Sequence, residues 1–310
     1  MFTLTRPTVD SMRRLIGLLF LAALGLSVAG LASAADDGCP PPDQWYQPLQ
    51  REAVSEESVL KGVVGKPVVL LGEHHGNALH HVWQKKILTA LRAAGPNIVV
   101  ALEMLPREAA PTVELFYQGK IPLEQFVRDS HWDDYWAYPV ELYAPVLDFI
   151  RDNGVATTPV NISREWLDAV SQRGLENVFA GSDSPPFQRP AAAPREYLLT
   201  LARSFRRHRA AGDDTPFSVE EGQRFRRFVD VQLAWDKALA DGVKRLLTAN
   251  PDSTVVLLAG TWHVVNGHGV VHQLAAMDVA DVAVLVPWDE HIDCAELTLN
   301  FADAVFYPTH

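Results

Sequence analysis

Short apolar runs alternate along this chain with longer segments that show helical spacing. Residues 68–71, 97–102 and 155–162 are rich in β-branched residues and leucine, which is typical of buried strands. Residues 76–94 follow the first run and place their apolar residues on one helical face. Two later runs, 254–259 and 282–286, extend the alternation. The pattern predicts an α/β fold with a mostly parallel central sheet flanked by helices.

Two segments depart from this alternation. Residues 35–64 begin polar and proline-rich, which predicts an N-terminal lead-in with at most one short helix. Prolines and small residues dominate 181–216, which predicts an exposed, mobile loop. Residues 304–307 predict a final strand at the edge of the sheet. We therefore expect one α/β domain over residues 65–310.

The N-terminal 34 residues have the pattern of a secretory signal peptide. Arg13 and Arg14 precede an apolar stretch, residues 15–28, and Ala32-Ser33-Ala34 forms a small-residue cleavage site. The alternative is a membrane anchor, which the stretch does not favour because it is shorter than the ~20 residues of a spanning helix. We expect no membrane span in the mature chain. The residues before Cys39 do not form a lipid-attachment signal. These features predict a periplasmic or secreted protein.

Charge and cysteine content narrow the possible partners. The formal net charge is −11, which argues against nucleic acid as a partner because phosphate binding needs a basic surface.

The chain has two cysteines, Cys39 and Cys294. In an exported protein they would meet an oxidising compartment, and we predict that they pair. Two free thiols remain the alternative. The sequence contains no Walker loop, Gly-x-Ser-x-Gly elbow or His-Glu-x-x-His helix.

Polar residues follow the predicted strands at their carboxyl ends. Two apolar runs, 68–71 and 255–258, each lead to a glycine that is followed three residues later by a histidine, in Gly72 to His75 and Gly260 to His263. The carboxyl ends of parallel strands meet at one sheet edge, where open α/β sheets bind ligands. We expect a site there formed by Glu73, His75, Glu103 and His263, with Asn161, Arg164 and His268 nearby.

This set of residues is compatible with two chemistries and with a structural role. As metal ligands, the two carboxylates and two imidazoles could hold a divalent ion that activates water for a hydrolase, with the same four as catalytic residues. As a haem site, the edge would need an axial ligand and a flat apolar wall. The aromatic cluster at 132–143 offers both, with Tyr135, Tyr138 and Tyr143 as candidate ligands. Hydrogen bonding among the polar residues is the structural alternative.

Several motifs in order resemble the ChaN-type haem-binding uptake proteins, which belong to a superfamily with the TIKI and TraB proteins and the erythromycin esterases. The first is Leu71-Gly72-Glu73-His74-His75-Gly76-Asn77, followed by His80-His81. Ala101 to Met104 resembles the second strand of that family, and Gln232 to Asp236 resembles a late helix. Gly260-Thr261-Trp262-His263 resembles the closing motif. The resemblance spans residues 65–288.

The resemblance implies an exported protein that binds haem and acts in haem or iron uptake. It implies haem as the cofactor and a homodimer whose formation depends on haem. The cofactor-binding residues would then come from His75, His263, His268, Tyr135, Tyr138, Tyr143 and Arg164. The wider superfamily also implies the alternative of a metal-dependent hydrolase, a peptidase or an esterase, that uses the same histidines and carboxylates.

Overall fold

A single eight-stranded sheet organises the part of the chain that the computed structural model describes, residues 39–95, 97–206, 215–289 and 292–309. The strands are β1 (Trp45–Gln47), β2 (Glu52–Val54), β3 (Val68–Glu73), β4 (Asn97–Pro106), β5 (Thr157–Asn161), β6 (Ser253–Gly260), β7 (Val282–Pro287) and β8 (Ala304–Phe306). Their order across the sheet is β2-β1-β8-β7-β3-β6-β4-β5. The strands from β8 to β5 run parallel, and β1 pairs antiparallel with both neighbours. The predicted mostly parallel sheet is confirmed.

Helices cover both faces of the sheet. They are α1 (Glu56–Val63), α2 (Ala78–Ala94), α3 (Ala110–Tyr117), α4 (Leu123–Asp129), α5 (Trp132–Tyr135), α6 (Val140–Asn153), α7 (Arg164–Arg173), α8 (Leu175–Phe179), α9 (Arg195–Arg206), α10 (Val219–Ala249) and α11 (Gly269–Ala275). None of the described helices has the length and hydrophobicity of a membrane-spanning segment. The predicted signal peptide, residues 1–34, lies outside the described residues.

The alternation of side chains along the buried strands divides the core into two layers. Val69 and Leu71 of β3 pack towards α2 and α6, whereas Val68 and Leu70 of the same strand pack towards α10 and α11. Side chains alternate between the two faces of a strand, so a strand that is covered on both faces is apolar throughout. This explains why β3 is buried over its full length.

The N-terminal lead-in contributes to the sheet, which the sequence did not indicate. We predicted at most one short helix over 35–64, and α1 is that helix, but β1 and β2 precede it. Strand β8 was predicted at the sheet edge, and this is wrong, because β8 lies between β7 and β1. The predicted Cys39–Cys294 disulfide is present and joins residues 255 positions apart in the sequence.

The segment predicted as a mobile loop, 181–216, contains a helix. Helix α9 occupies Arg195–Arg206 and buries Tyr197 and Leu201 against a third apolar cluster, which includes residues of α10. Pro185, Pro186, Pro190 and Pro194 precede α9 and Pro216 follows it, so none of them interrupts the helix. Residues 207–214 lie outside the described residues, and the mobility of the segment stays a prediction.

Candidate functional site

Glu73 lies at the carboxyl end of β3 and is fully enclosed by donors. Its Oε1 accepts hydrogen bonds from Nδ1 of His75 at 2.8 Å and from the Tyr143 hydroxyl at 2.7 Å. Its Oε2 accepts a hydrogen bond from Nε2 of Gln84 at 2.9 Å, and the His81 Nε2 lies 3.5 Å away. Burial opposes ionisation, but the His75 hydrogen bond and the adjacent His81 imidazole outweigh it and hold the pKa of Glu73 well below its ordinary value. Glu73 is therefore a buried carboxylate.

His75 is oriented by that carboxylate and by two aromatic rings. Its ring centroid lies 4.7 Å from that of Trp136, edge to face, and 5.3 Å from that of Tyr138. Burial lowers the pKa of His75, but the hydrogen bond to Glu73 and the charge of Glu103 have the larger combined effect, and the pKa is raised. The side chain stays 24% exposed. Because Nδ1 is bound to Glu73, Nε2 is the nitrogen left for a ligand.

His263 repeats this arrangement on the neighbouring strand. It ends the 3-10 turn after β6, and its Nδ1 lies 2.7 Å from Oδ1 of Asp236 in α10. Its Nε2 lies 3.4 Å from Oε1 of Glu103. Burial opposes protonation of the ring, but the Glu103 charge and the Asp236 hydrogen bond prevail and raise the pKa of His263 to about 9. Asp236 also accepts a hydrogen bond from the Tyr197 hydroxyl at 2.7 Å.

Gly260 lets the two imidazoles approach each other. A Cβ at this position would lie 2.9 Å from both Cε1 and Nε2 of His75, and 3.6 Å from Cδ2 of His263. The Gly260 N–H donates to Oε2 of Glu103 at 2.6 Å. In the parallel register Glu73 pairs with Gly260, whereas Gly72 pairs with Ala259, so the two glycine–histidine motifs are offset by one residue. The offset places the glycine of one motif beside the carboxylate of the other.

Two of the cavities at this sheet edge are lined by predicted site residues. The first, of about 390 Å³, is lined by Glu73, His75 and His263 together with the half-exposed indole of Trp262 and the side chain of Ile292. Its other wall is acidic and carries Asp289, Asp293 and Glu296. The second, of about 400 Å³, lies over the ends of β4 and β5 and is lined by residues that include Tyr135, Trp136, Asn161, Arg164 and Trp235.

The structure brings together the four central residues of the sequence prediction: Glu73, His75, Glu103 and His263. Asn161 supports them, because its Nδ2 donates to the Glu103 carbonyl at 2.9 Å. These side chains bond to one another or to the backbone. Among the described residues, no group of three or more His, Cys, Asp or Glu side chains is placed to hold a metal ion. The predicted divalent metal ion is therefore not supported.

The remaining predicted cofactor residues are spread over different surroundings. Tyr138 contacts His75, and Tyr135 and Arg164 line the second cavity. Tyr143 is fully buried and donates to Glu73, and burial together with that carboxylate raises the pKa of its hydroxyl. His268 does not line either cavity. Its ring packs 5.1 Å from that of Tyr197, and burial lowers its pKa.

Sequence reasoning missed the role of the residue that orients His263. Asp236 was noted only through the resemblance, without a role, and lies 27 residues before its partner His263. His81 and Gln84 reach Glu73 from α2, one and two turns after the first motif respectively. His81 was already part of the resemblance in the sequence, and Gln84 lies on the same helical face three residues later. Nothing local could have indicated Asp236.

Comparison with known proteins identifies the family. The family model for haem-binding uptake proteins of the Tiki superfamily, ChaN, matches residues 59–274. A solved structure showing cofacial haem binding to ChaN of Campylobacter jejuni is similar, with a TM-score of 0.63 and 19% identity over 84% of this chain and 95% of that one. At this identity the likeness shows the fold alone.

Two other solved structures are less similar. A mutant of the erythromycin esterase EreC in its open conformation has a TM-score of 0.44 and 14% identity over 78% of this chain and 76% of that chain. The effector domain RRSP of a Vibrio vulnificus MARTX toxin has a TM-score of 0.39 and 16% identity over 82% of this chain and 40% of that chain. No curated protein sequence matches the chain. Because the family model covers most of the chain and the fold agrees with it, this protein belongs to the ChaN family of haem-binding uptake proteins in the Tiki superfamily.

Proposed function

We propose that this protein binds haem in the first cavity and handles haem or iron outside the cytoplasm. The observation that carries the proposal is the orientation of His75. Its Nδ1 is bound to the buried Glu73 carboxylate, and its Nε2 has no hydrogen-bond partner among the described residues. Metal-binding histidines commonly have this arrangement, in which a carboxylate holds the other ring nitrogen and increases ligand basicity.

The residues around His75 fit the requirements of haem. A haem site needs an axial ligand and an apolar wall against the macrocycle. Trp262, with 39% of its surface exposed, and Ile292 provide apolar surface in the same cavity as His75. When bound, haem would supply a redox-active iron. The chain itself would orient the His75 ring through Glu73 and keep water from one face of the haem.

Tyr138 is the alternative axial ligand. Its ring lies 5.3 Å from that of His75 and the residue is half-buried, whereas Tyr143 is fully buried. The Tyr143 hydroxyl donates a hydrogen bond to Glu73. Burial and that carboxylate raise the pKa of Tyr143, so the hydroxyl stays protonated. A tyrosinate ligand would therefore have to come from Tyr138 rather than from Tyr143.

A haemin titration followed at the Soret band tests this proposal. We expect saturable binding to the wild-type protein, loss of affinity in His75→Ala, and little change in Tyr138→Phe. His131→Ala serves as a control, because His131 is exposed and pairs only with Asp134. The absence of saturable binding to the wild type would refute haem binding. Loss of tyrosinate charge-transfer bands in Tyr138→Phe, with His75→Ala unaffected, would instead assign the ligand to Tyr138.

Export and assembly are further parts of the proposal. The Cys39–Cys294 disulfide supports an oxidising compartment. We expect the N-terminal 34 residues to be absent from protein recovered from the periplasm, which N-terminal sequencing can check. We also expect a homodimer that forms with haemin. Light scattering with and without haemin tests this, and a monomer under both conditions would contradict it.

Hydrolysis is a second candidate function, favoured by the two imidazole–carboxylate pairs on either side of Gly260. His263, with its pKa raised to about 9, would be protonated at neutral pH and suited to act as a general acid. Hydrolysis of p-nitrophenyl acetate by the wild type but not by His263→Ala, with haemin binding intact, would support this function. Equal background rates in both proteins would reject it.

A further inference from the structure

The second cavity contains hydrogen-bond donors that the described protein leaves without acceptors. The Arg164 guanidinium and the Tyr135 hydroxyl line it and make no hydrogen bond or ion pair with the described residues. The indole N–H of Trp235 also belongs to a lining residue, and it is buried without a partner. A buried indole N–H usually has an acceptor, because leaving it unpaired costs free energy. An acceptor from outside the chain that enters this cavity could be bound by Arg164 and Tyr135.

The position of Arg164 is not explained by the stability of its helix. Arg164 is the first residue of α7, where the helix dipole favours acidic side chains and disfavours cations. Asp168, one turn further on, also lines the cavity but forms no ion pair with Arg164. The guanidinium is exposed and therefore available to a ligand.

The two cavities differ in the charged side chains that line them. Arg164 is the only lysine or arginine among the described residues that line either cavity. The first cavity carries Asp289, Asp293 and Glu296 on one wall, which would repel an anionic group. A ligand with ionised carboxylates would therefore direct them away from this wall and towards Arg164.

Two indoles lie between the cavities. Trp136 and Trp235 line the second cavity, and their rings contact His75 and His263, which line the first. The Trp136 ring would then separate a planar ligand bound at His75 from the second cavity. We propose that the second cavity is the site that receives the propionate carboxylates of haem, bound by Arg164 and Tyr135. This inference rests on the proposed haem binding.

Haemin and haemin dimethyl ester, which lacks the carboxylate charges, test the inference in one cycle. We expect Arg164→Ala to weaken haemin binding about tenfold, as expected for loss of a charge-assisted hydrogen bond. The affinity of Arg164→Ala for the dimethyl ester should equal that of the wild type, because the ester offers no carboxylate to the guanidinium. Arg164→Lys should restore part of the haemin affinity, and Tyr135→Phe should weaken haemin binding but not ester binding.

Arg173→Ala is the matched control, because Arg173 lies on the same helix, carries the same charge and lines neither cavity. Thermal unfolding of each variant checks that the fold is retained. Unchanged haemin affinity in Arg164→Ala would overturn the inference, as would an equal loss for haemin and its ester. If the wild type binds neither compound, the proposed function itself fails, and this outcome is distinct because it does not depend on Arg164.

Discussion

Replacing Glu73 by glutamine tests whether its buried carboxylate organises the site. The substitution keeps the shape of the side chain but removes its charge and replaces one acceptor oxygen by an amide donor. The wild-type carboxylate accepts from His75, Tyr143 and Gln84. In Glu73→Gln, the new amide would face one of these donors. At least one hydrogen bond must then be lost, and those that remain are no longer charge-assisted.

The structure allows an estimate of the cost. The Glu73 side chain is 0% exposed, so solvent screening does not reduce the effect. A hydrogen bond to a charged group contributes about 1.5–3 kcal/mol, and removing one partner of a buried pair costs about 3–5 kcal/mol. We expect Glu73→Gln to lower the free energy of unfolding by about 3 kcal/mol at pH 7, because part of the hydrogen bonding survives.

The same substitution changes the pH dependence of stability. The pKa of Glu73 in the folded protein lies well below its ordinary value of 4.5. Its contribution is therefore present above pH 4.5 and is lost as the pH falls towards the folded-state pKa. The difference between wild type and Glu73→Gln should be constant above this range and shrink below it.

Urea unfolding followed by circular dichroism measures these quantities. Glu52→Gln is the control, because Glu52 is exposed, and its substitution should change stability by less than about 0.5 kcal/mol. An NMR titration of His75 provides a second measurement. Its pKa should fall in Glu73→Gln, because the carboxylate that raises it is gone. A stability loss below about 1 kcal/mol, or an unchanged His75 pKa, would refute the reasoning.

Three further predictions concern neighbouring features. Gly260→Ala places a Cβ 2.9 Å from the His75 ring, so it should displace that ring and lower stability by about 1–3 kcal/mol in urea unfolding; wild-type stability would contradict this. The folded-state pKa of His263 is raised from 6.5 to about 9, so its contribution is present below pH 6.5 and is lost as the pH rises through about 9. His263→Gln should lack this loss between pH 6 and 10, and an identical pH profile would argue against it. Replacing Cys39 and Cys294 together by serine should cost about 2–5 kcal/mol of stability, because the disulfide closes a long loop; thermal unfolding of reduced wild type should show the same loss, and an unchanged midpoint would contradict it.

The strands of the central sheet were predictable because burial on both faces leaves a local signature. The runs at 68–71 and 254–259 became β3 and β6, and each extends only one or two residues beyond its prediction. Strand β4 extends four residues beyond the prediction, to Pro106, with a register shift after Leu102. The short strands β1 and β2 have three residues each, too few to show a period.

The residues at the strand ends could be listed from the sequence, but their roles could not. His75 and His263 were both predicted, and each depends on a carboxylate that fixes its Nδ1. Glu73 lies two residues from His75, whereas Asp236 reaches His263 from the middle of α10. The three tyrosines of the aromatic cluster looked equivalent in the sequence. Their contacts in the folded protein distinguish them. Tyr143 donates a hydrogen bond to Glu73, the Tyr138 ring lies beside His75, and Tyr135 lines the second cavity.

The sequence by itself determined the fold class, and it predicted the sheet edge and the four central residues of the candidate site. These follow from short-range patterns, because periodicity and strand ends are properties of neighbouring residues. Only the tertiary structure decided that Glu73 pairs with Gly260 in the sheet and that Asp236 orients His263. It also decided that Arg164 lines a different cavity from His75 and His263. Strand register and helix packing join residues that are far apart in the chain, and no local pattern specifies which side chains they bring into contact.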